Sequence, residues 1–300
     1  MTKNTLGAFC SVGLVLCAAI WGFAFVIVKD SLDYIGPVWM IAFRFSIAAV
    51  CLGILLRKKI LGLTKKTFLR GMLLGGFLFM AYLLQTIGCK YTAAGKNAFL
   101  TTVYVVLVPL FAWPLFNKRP RWYVFVAALM SVTGIGLLAL TNEGNILSMN
   151  KGDVLTLSCG IFYALHILFM SHFNAYDDPL LLTVLQFAAA ALLGWLCAPF
   201  MDGSFPVEIF ANARVVLSVF YLGLLSTLVC FVLQNVGLKY VAPALASLFL
   251  SLESLFGVLF STLLLGEDLT PRMLLGCALI FAAIILAEVV PELVKPRGKS

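Results

Sequence analysis

Ten runs of about twenty apolar residues follow one another along this chain of 300 residues. A helix of about 20 residues crosses the roughly 30 Å hydrocarbon core of a bilayer, so each run is long enough to form one membrane span. The predicted spans are residues 7–28, 37–56, 69–88, 97–116, 122–140, 153–170, 180–199, 215–236, 243–265 and 272–290. This pattern predicts an all-α integral membrane protein with ten transmembrane helices.

The second five spans partly repeat the first five. Some matches lie 149 positions apart, and others, near the start of each half, lie 142 apart. They pair Leu84, Gln85, Gly88, Lys90 and Tyr91 with Leu233, Gln234, Gly237, Lys239 and Tyr240, and Cys17, Trp21, Pro37 and Phe45 with Cys159, Tyr163, Pro179 and Phe187. Because five is odd, the second repeat enters the membrane inverted, an arrangement that carriers use for alternating access. We predict one repeat at 7–140, a second at 153–290 and a basic tail at 291–300.

The composition excludes a soluble protein. Apolar residues make up 62% of the chain and charged residues only 11%, whereas a soluble domain carries about 25% charged residues. The net charge of +8 lies at the ends of the spans, which argues against a nucleic-acid partner. The eight cysteines form no C-x-x-C pair and the two histidines lack a thiol nearby. We therefore predict no metal site, no disulfide and no cofactor.

The positions of lysine and arginine predict the orientation. With the N-terminus inside, the cytoplasmic connections carry 14 of these residues and the outer connections carry six. Because cytoplasmic loops are the more basic ones, both termini are predicted to lie in the cytoplasm. The cluster Arg57–Lys59 is interpreted as a topology signal, with contact to anionic lipid as a second interpretation.

Several short motifs resemble those of EamA-type members of the drug/metabolite transporter (DMT) superfamily. They are Trp21–Gly22, Lys29, Pro37, Arg44–Phe45, Leu252–Glu253 and Leu265–Glu267, while Tyr91–Phe99 and Val103–Pro109 look like one bacterial subgroup. The resemblance covers about residues 9–290. It implies a carrier in a bacterial inner membrane that moves small metabolites, often amino acids, and frequently moves them outward. It also implies a central cavity formed largely by helices 1, 3, 4, 6, 8 and 9. Ser254 and Lys118 depart from the residues that the family often has there.

Glu253 lies near the middle of the ninth span. A charge at that depth costs roughly 3 kcal/mol on insertion scales, so it needs a reason. Proton coupling and pairing with a substrate amine are the functional hypotheses. Helix packing, with hydrogen bonds to Ser247, Ser251 or Ser254, is the structural one.

Tyr104 occupies the position in the first repeat that Glu253 occupies in the second. It shares a helix face with Thr101 and Asn97, at spacings of three and four residues. This polar stripe is expected to face protein or a water-filled cavity, where it would either bind substrate or hold two helices together.

Aromatic side chains deep within spans predict a cavity wall. Trp21 and its counterpart Tyr163 lie well inside their spans, with Phe25 and His166 about one turn further and Tyr82 on span three. Such a wall suits a flat or cationic ligand, and core packing is the alternative for each side chain. The predicted substrate-binding residues are Trp21, Phe25, Tyr82, Gln85, Asn97, Thr101, Tyr104, Tyr163, His166, Gln234, Ser251 and Glu253.

Two further features have structural interpretations. Gln85 and Gln234 occupy equivalent positions, where they would bind substrate or fix the packing of the two repeats. Arg44, inside span two, is predicted to be a structural charge that pairs with Asp30 or Asp33; snorkelling and binding of a substrate carboxylate are the alternatives.

These features favour a secondary active or facilitative exporter of an amino acid or organic amine. No G-x-x-x-x-G-K-[ST] motif is present, so ATP is not expected as the direct energy source. The expected partners are a small-molecule substrate, the lipid bilayer and protons, and no oligomer is required. The alternatives are a channel, which needs a continuous polar lining, and a protein that handles a lipid-linked substrate. Asp177–Asp178 is the one acidic cluster that would suit an enzyme, but we interpret it as a loop cap and predict no enzymatic activity.

Overall fold

The structure, a computed structural model, describes residues 3–117, 119–139, 149–234 and 243–294. The side chains it describes are those of residues 9–117, 119–137, 149–234 and 249–286. Lys118, Lys239–Tyr240, the side chain of Ser247 and residues 295–300 of the predicted tail therefore lie outside it. Throughout the described residues the secondary structure is helical, without a strand.

The described chain contains ten helical spans, five in each half, with a short helix Arg57–Ile60 and a 3-10 helix Val207–Ala211 between them. They are α1 Lys3–Ser31, α2 Pro37–Leu55, α3 Lys65–Tyr91, α4 in two segments, Ala94–Thr101 and Tyr104–Phe116, α5 Trp122–Ala139, α6 Lys151–Phe173, α7 Pro179–Met201, α8 Ala213–Gln234, α9 Pro243–Leu265 and α10 Pro271–Val294. Seven are long and apolar enough to cross a membrane over their described residues, and α5, α9 and α10 contribute shorter apolar stretches. This confirms the predicted all-α membrane fold. Several helices extend past the predicted spans, because hydropathy marks only the apolar part of a helix.

The repeat is visible in how the helices begin and end. Pro37 and Pro179, 142 positions apart, open α2 and α7, where the missing N–H of proline costs no hydrogen bond. Asn117 and Gly266, 149 positions apart, follow α4 and α9 with left-handed φ angles of 56° and 66°. Asparagine and glycine are the residues that adopt this conformation most readily, so both helices stop at the equivalent point.

Packing between the repeats is extensive and symmetric. Helix α2 packs against α7 and α5 against α10, and the packing of α1 on α9 is matched by that of α6 on α4. The equivalent rings of Phe45 and Phe187 are in contact, with centroids 5.8 Å apart. Because residues related by a two-fold rotation can touch only near its axis, the pseudo-two-fold axis passes between these rings.

Two helices are interrupted beside the centre of the molecule. In α4 the hydroxyls of Thr101 and Thr102 bond back to the carbonyls of Asn97 and Phe99, a pattern that competes with the helix and bends it. In α8 the residues Tyr221–Val229 form a π-helix. Discontinuous membrane helices place backbone polar groups beside binding sites in carriers.

Candidate functional site

One cavity of about 500 Å³ lies between the two repeats. Eleven of the twelve predicted binding residues line it, namely Trp21, Phe25, Tyr82, Gln85, Asn97, Thr101, Tyr104, Tyr163, His166, Gln234 and Glu253. The lining comes from helices 1, 3, 4, 6, 8 and 9, as the family resemblance implies. It also includes Arg44 of α2 and Gln186 of α7.

Ser251 is the predicted residue that lies elsewhere. It is 1% exposed, and its carbonyl accepts a hydrogen bond from the Ser254 hydroxyl. Two residues along an α-helix correspond to a rotation of about 200°, which turns Ser251 away from the face of Glu253. Leu250, three residues before Glu253, lines the cavity instead.

Tyr104 and Glu253 meet at the cavity wall, where the Tyr104 hydroxyl is hydrogen-bonded to the Glu253 carboxyl group. Glu253 is 7% exposed and is the one carboxylate in the described lining. The described partner of this carboxyl group is therefore the repeat-equivalent tyrosine. The contact links α4 to α9 across the repeats.

A hydrogen-bonded network runs along the stripe predicted on α4. Tyr163 donates to Gln85 Oε1 over 2.9 Å, and Gln85 Nε2 donates to Thr101 over 3.2 Å. The Asn97 amide nitrogen donates to the Gln85 carbonyl and to the Thr156 hydroxyl, at 3.2 and 2.7 Å. The Asn97 Oδ1 atom is buried and has no partner among the described residues. The stripe therefore holds helices together and still has one unused acceptor beside the cavity.

Trp21 reaches the interrupted part of α8. Its Nε1–H donates to the carbonyl of Ser226 over 2.7 Å, within the π-helix. The Tyr221 hydroxyl donates to the carbonyl of Ile20 over 2.8 Å. These bonds fix α1 against α8 at the depth of the cavity.

The expected ion pair of Arg44 with Asp30 or Asp33 is wrong. Arg44 donates instead to the hydroxyls of Ser226 and Thr227, and its guanidinium lies over the Tyr82 ring at 4.6 Å. Asp30 pairs with Arg214. Asp30 lies in the last turn of α1 and Asp33 follows the end of that helix, whereas Arg44 lies two turns inside α2 and faces α8.

Gln186 was missed from the sequence. It is completely buried, lines the cavity and lies 2.6 Å from His166 Nε2 through its Oε1 atom. Its one sequence signal is its position, since it is the repeat counterpart of Arg44, 142 residues later.

The cavity is open at one end of the molecule, where α6 ends. Ser171 and Asn174, at the C-terminal end of α6, are exposed and belong to the lining. At the opposite end the lining residues Val28, Thr86 and Cys89 are 8%, 2% and 1% exposed. We call these the open end and the closed end.

A polar latch seals the closed end, where α3 ends and α4 begins. Lys29 Nζ donates to the carbonyls of Cys89 and Thr92, both at 2.8 Å. Asp153 pairs with Lys96 at 2.7 Å and accepts a hydrogen bond from the Thr92 hydroxyl.

Glu267 completes the latch. Its carboxylate accepts hydrogen bonds from the amides of Ala94 and Gly95, at 2.7 and 3.1 Å. These are the first amides of α4, so the contact also stabilises the positive end of the helix dipole. The latch thus joins α1, α3, α4, α6 and the end of α9.

Asp177 binds the start of α3, and Asp178 binds the connection between α2 and α3. Asp177 pairs with Arg70 and accepts from the Thr67 hydroxyl, and Asp178 pairs with Lys59 and caps α7 through the amide of Leu180. Burial raises the pKa of Asp177, but the hydrogen bonds from Thr67 and Arg70 outweigh it and hold the pKa below its usual value. Both carboxylates are engaged in structural contacts.

The chain is similar to known membrane proteins along its whole length. It matches the model of the EamA-like transporter family over residues 8–140 and 150–288. A protein of Archaeoglobus fulgidus described as an uncharacterized transporter is 33% identical over 284 residues, which cover 93% of this chain and 86% of that protein. One crystal structure covers 94% of this chain and 98% of its own, with a TM-score of 0.67 and 17% identity. A likeness at that identity shows the fold alone.

Proposed function

Since the chain belongs to the EamA-like transporter family and is a multi-pass membrane transporter, we propose that it is a carrier that exports a small metabolite, an amino acid or an organic amine, by alternating access. The observation that carries this proposal is the cavity of about 500 Å³ lined by both repeats, open at one end and closed at the other. In inverted repeats, an exchange of conformation between the halves opens the closed end and closes the open one.

The orientation follows from charge. The open end is also the end of the α2–α3 connection, which carries Arg57, Lys58, Lys59, Lys65 and Lys66. Loops this basic stay in the cytoplasm. The proposal therefore assigns the structure to the inward-open state of the carrier, ready to load substrate from the cytoplasm.

The size and chemistry of the cavity support a small substrate. A volume of about 500 Å³ falls within the range of roughly 300–1,000 Å³ that holds small molecules. The aromatic wall of Trp21, Tyr82 and Tyr163 suits a cationic or flat group. Glu253 supplies the counter-charge for an amine. We propose the same carboxyl group as the site of coupling to protons, since it can bind either a proton or a cationic substrate.

A channel is the less favoured function. A channel needs a continuous polar path through the membrane, whereas the latch of Lys29, Asp153 and Glu267 closes one end of this cavity. A carrier requires such a closure in each of its states.

The test is a ligand screen followed by flux. Purified protein in nanodiscs is screened by thermal unfolding with amino acids, amines, nucleobases and sugars, because a ligand that binds only the folded state raises its unfolding temperature. We expect a hit among amino acids or amines, and saturable uptake of that compound into proteoliposomes. Hits confined to sugars or nucleobases, or flux that never saturates, would contradict the proposal.

A further inference from the structure

Arg44 is a buried charge with no anionic partner among the described residues. It is 3% exposed, and its hydrogen bonds go to the neutral hydroxyls of Ser226 and Thr227, at 3.0 to 3.2 Å. The described ion pairs all use other cations. An ionised group away from water is costly unless it is paired, so this guanidinium lacks a counter-charge.

Gln186, the repeat counterpart of Arg44, has an unused donor. Its Oε1 lies 2.6 Å from His166 Nε2, and an amide oxygen accepts a hydrogen bond from the tautomer of His166 that carries its proton on Nε2. The Gln186 Nε2 group is buried and has no partner among the described residues. Buried donors are almost always paired in native proteins, so this donor is available to a water molecule or to a bound group in the cavity.

The repeat symmetry places these two residues at nearly the same depth on the wall of one cavity. Arg44 and Gln186 each precede one ring of the Phe45–Phe187 pair, whose centroids are 5.8 Å apart. One residue of helix rises about 1.5 Å, so the two positions differ by only about 3 Å along the antiparallel helices. Both side chains line the same cavity. The Tyr82 ring, 4.6 Å from the guanidinium, supports the guanidinium from one side.

We propose that Arg44 and Gln186 form a subsite for the carboxylate, or an equivalent anionic group, of the substrate. A guanidinium presents several N–H donors in a planar fork that fits a carboxylate, and the Gln186 amide adds another. This inference rests on the proposed function. It narrows the substrate from simple amines to molecules that also carry an acid.

Glu253 lies toward the other end of the same aromatic wall. The rings of Tyr82 and Tyr163 are 5.6 Å apart, those of Tyr163 and Tyr104 are 5.9 Å apart, and Tyr104 bonds Glu253. We propose that this order orients a zwitterion, with its carboxylate at Arg44 and its amine directed toward Glu253. Its apolar part would lie against the tyrosines.

The test compares probes that differ only in the acid. Purified protein in nanodiscs is titrated with leucine, tryptophan and lysine, with the amine that each gives on decarboxylation, and with each methyl ester. We expect the preferred amino acid to bind at least tenfold more tightly than its amine and its ester. Arg44→Gln should remove this preference and change the affinity for the amine less than twofold. Gln186→Leu should lower the affinity for the amino acid alone, about threefold to tenfold. Arg214→Gln, an exposed arginine outside the cavity, is the matched control.

The outcomes separate this inference from the function on which it rests. Equal binding of acid, ester and amine to the unmodified protein, with measurable flux, would contradict the proposed anion subsite. The proposed carrier function would still hold. No binding and no flux with any probe would contradict both. Should Arg44→Gln fail to fold, the ester comparison and Gln186→Leu decide the matter, because neither removes the buried charge.

Discussion

Tyr104 and Glu253 occupy equivalent positions in the two repeats, and their side chains are hydrogen-bonded to each other. Equivalent residues touch only near the pseudo-two-fold axis, so this contact and the Phe45–Phe187 contact both lie close to it. The axis is therefore flanked by two phenylalanines at one point and by a tyrosine and a glutamate at another. Two symmetric repeats thus enclose an asymmetric pair, Tyr104 and Glu253, and we propose that this pair carries out the chemistry of transport.

Glu253→Gln should abolish transport or make its rate independent of pH, because glutamine cannot exchange a proton. Tyr104 is hydrogen-bonded to this carboxyl group, and Tyr82 and Tyr163 interact with it electrostatically. Tyr104→Phe should reduce the rate several-fold, because one hydrogen bond is lost. Initial rates in proteoliposomes between pH 5.5 and 8.5 measure this. Glu208→Gln, on an exposed turn, is the control. A full rate with an unchanged pH profile in Glu253→Gln would remove this residue from the mechanism.

Gly22→Ala should destabilise the packing of α1 on α9. A Cβ atom at Gly22 would lie 2.5 Å from Phe256 Cβ and 2.8 Å from the Gly257 amide nitrogen. Overpacking of this kind costs about 1–3 kcal/mol, so thermal unfolding in detergent should occur at a clearly lower temperature. Gly76→Ala, where nothing lies within 4 Å of the new atom, should leave the unfolding temperature unchanged or raise it. Equal effects at both glycines would count against the close approach.

Lys29→Met should loosen the closed end. The repeat counterpart of Lys29 is Ser171, which is too short to form the same bonds at the open end, so the lysine latch should favour the inward-open state. The native thiol of Cys89, 1% exposed beneath the latch, is a reporter once the other seven cysteines are replaced. An impermeant maleimide added outside should label it several-fold faster in Lys29→Met than in Lys90→Met, whose side chain is exposed. Equal labelling rates would show that Lys29 does not hold the gate.

Acid should weaken the contact between Asp177 and the start of α3. The folded-state pKa of Asp177 is lowered, so its contribution to stability is present at neutral pH and is lost as the pH falls through that value, below about 3.9. Asp177→Asn should cost about 2 kcal/mol at pH 7 and progressively less toward pH 3. Unfolding temperatures across this range, with exposed Asp268→Asn as control, measure it. A cost independent of pH would mean that charge has no part in the contact.

Much of the architecture follows from patterns that the sequence shows directly. Apolar runs and the 142- and 149-residue offsets predict the spans and their arrangement. Polar and aromatic residues deep within spans, such as Tyr104 and Tyr163, have few favourable places except a cavity. This constraint explains why most of the predicted residues line the same cavity.

The features that the sequence did not predict depend on which helices face each other and on backbone geometry. The partners of Arg44 could not be chosen because a shared depth does not say which helices face each other. The π-helix of α8 and the carbonyl acceptors of Lys29 have no residue signature, since every residue carries a carbonyl group. Nothing in the sequence distinguishes Gln186 from other glutamines, because its unpaired amide nitrogen and its place on the cavity wall are visible only in the structure.

Counterflow tests the central claim most directly. Proteoliposomes loaded with the unlabelled form of the amino acid or amine identified by the screen are placed in a trace of labelled compound. A carrier whose central cavity faces one side at a time should accumulate label transiently, several-fold above unloaded vesicles. The effect should be retained in Arg214→Gln. Uptake of label that is unaffected by preloading would contradict alternating access through this cavity.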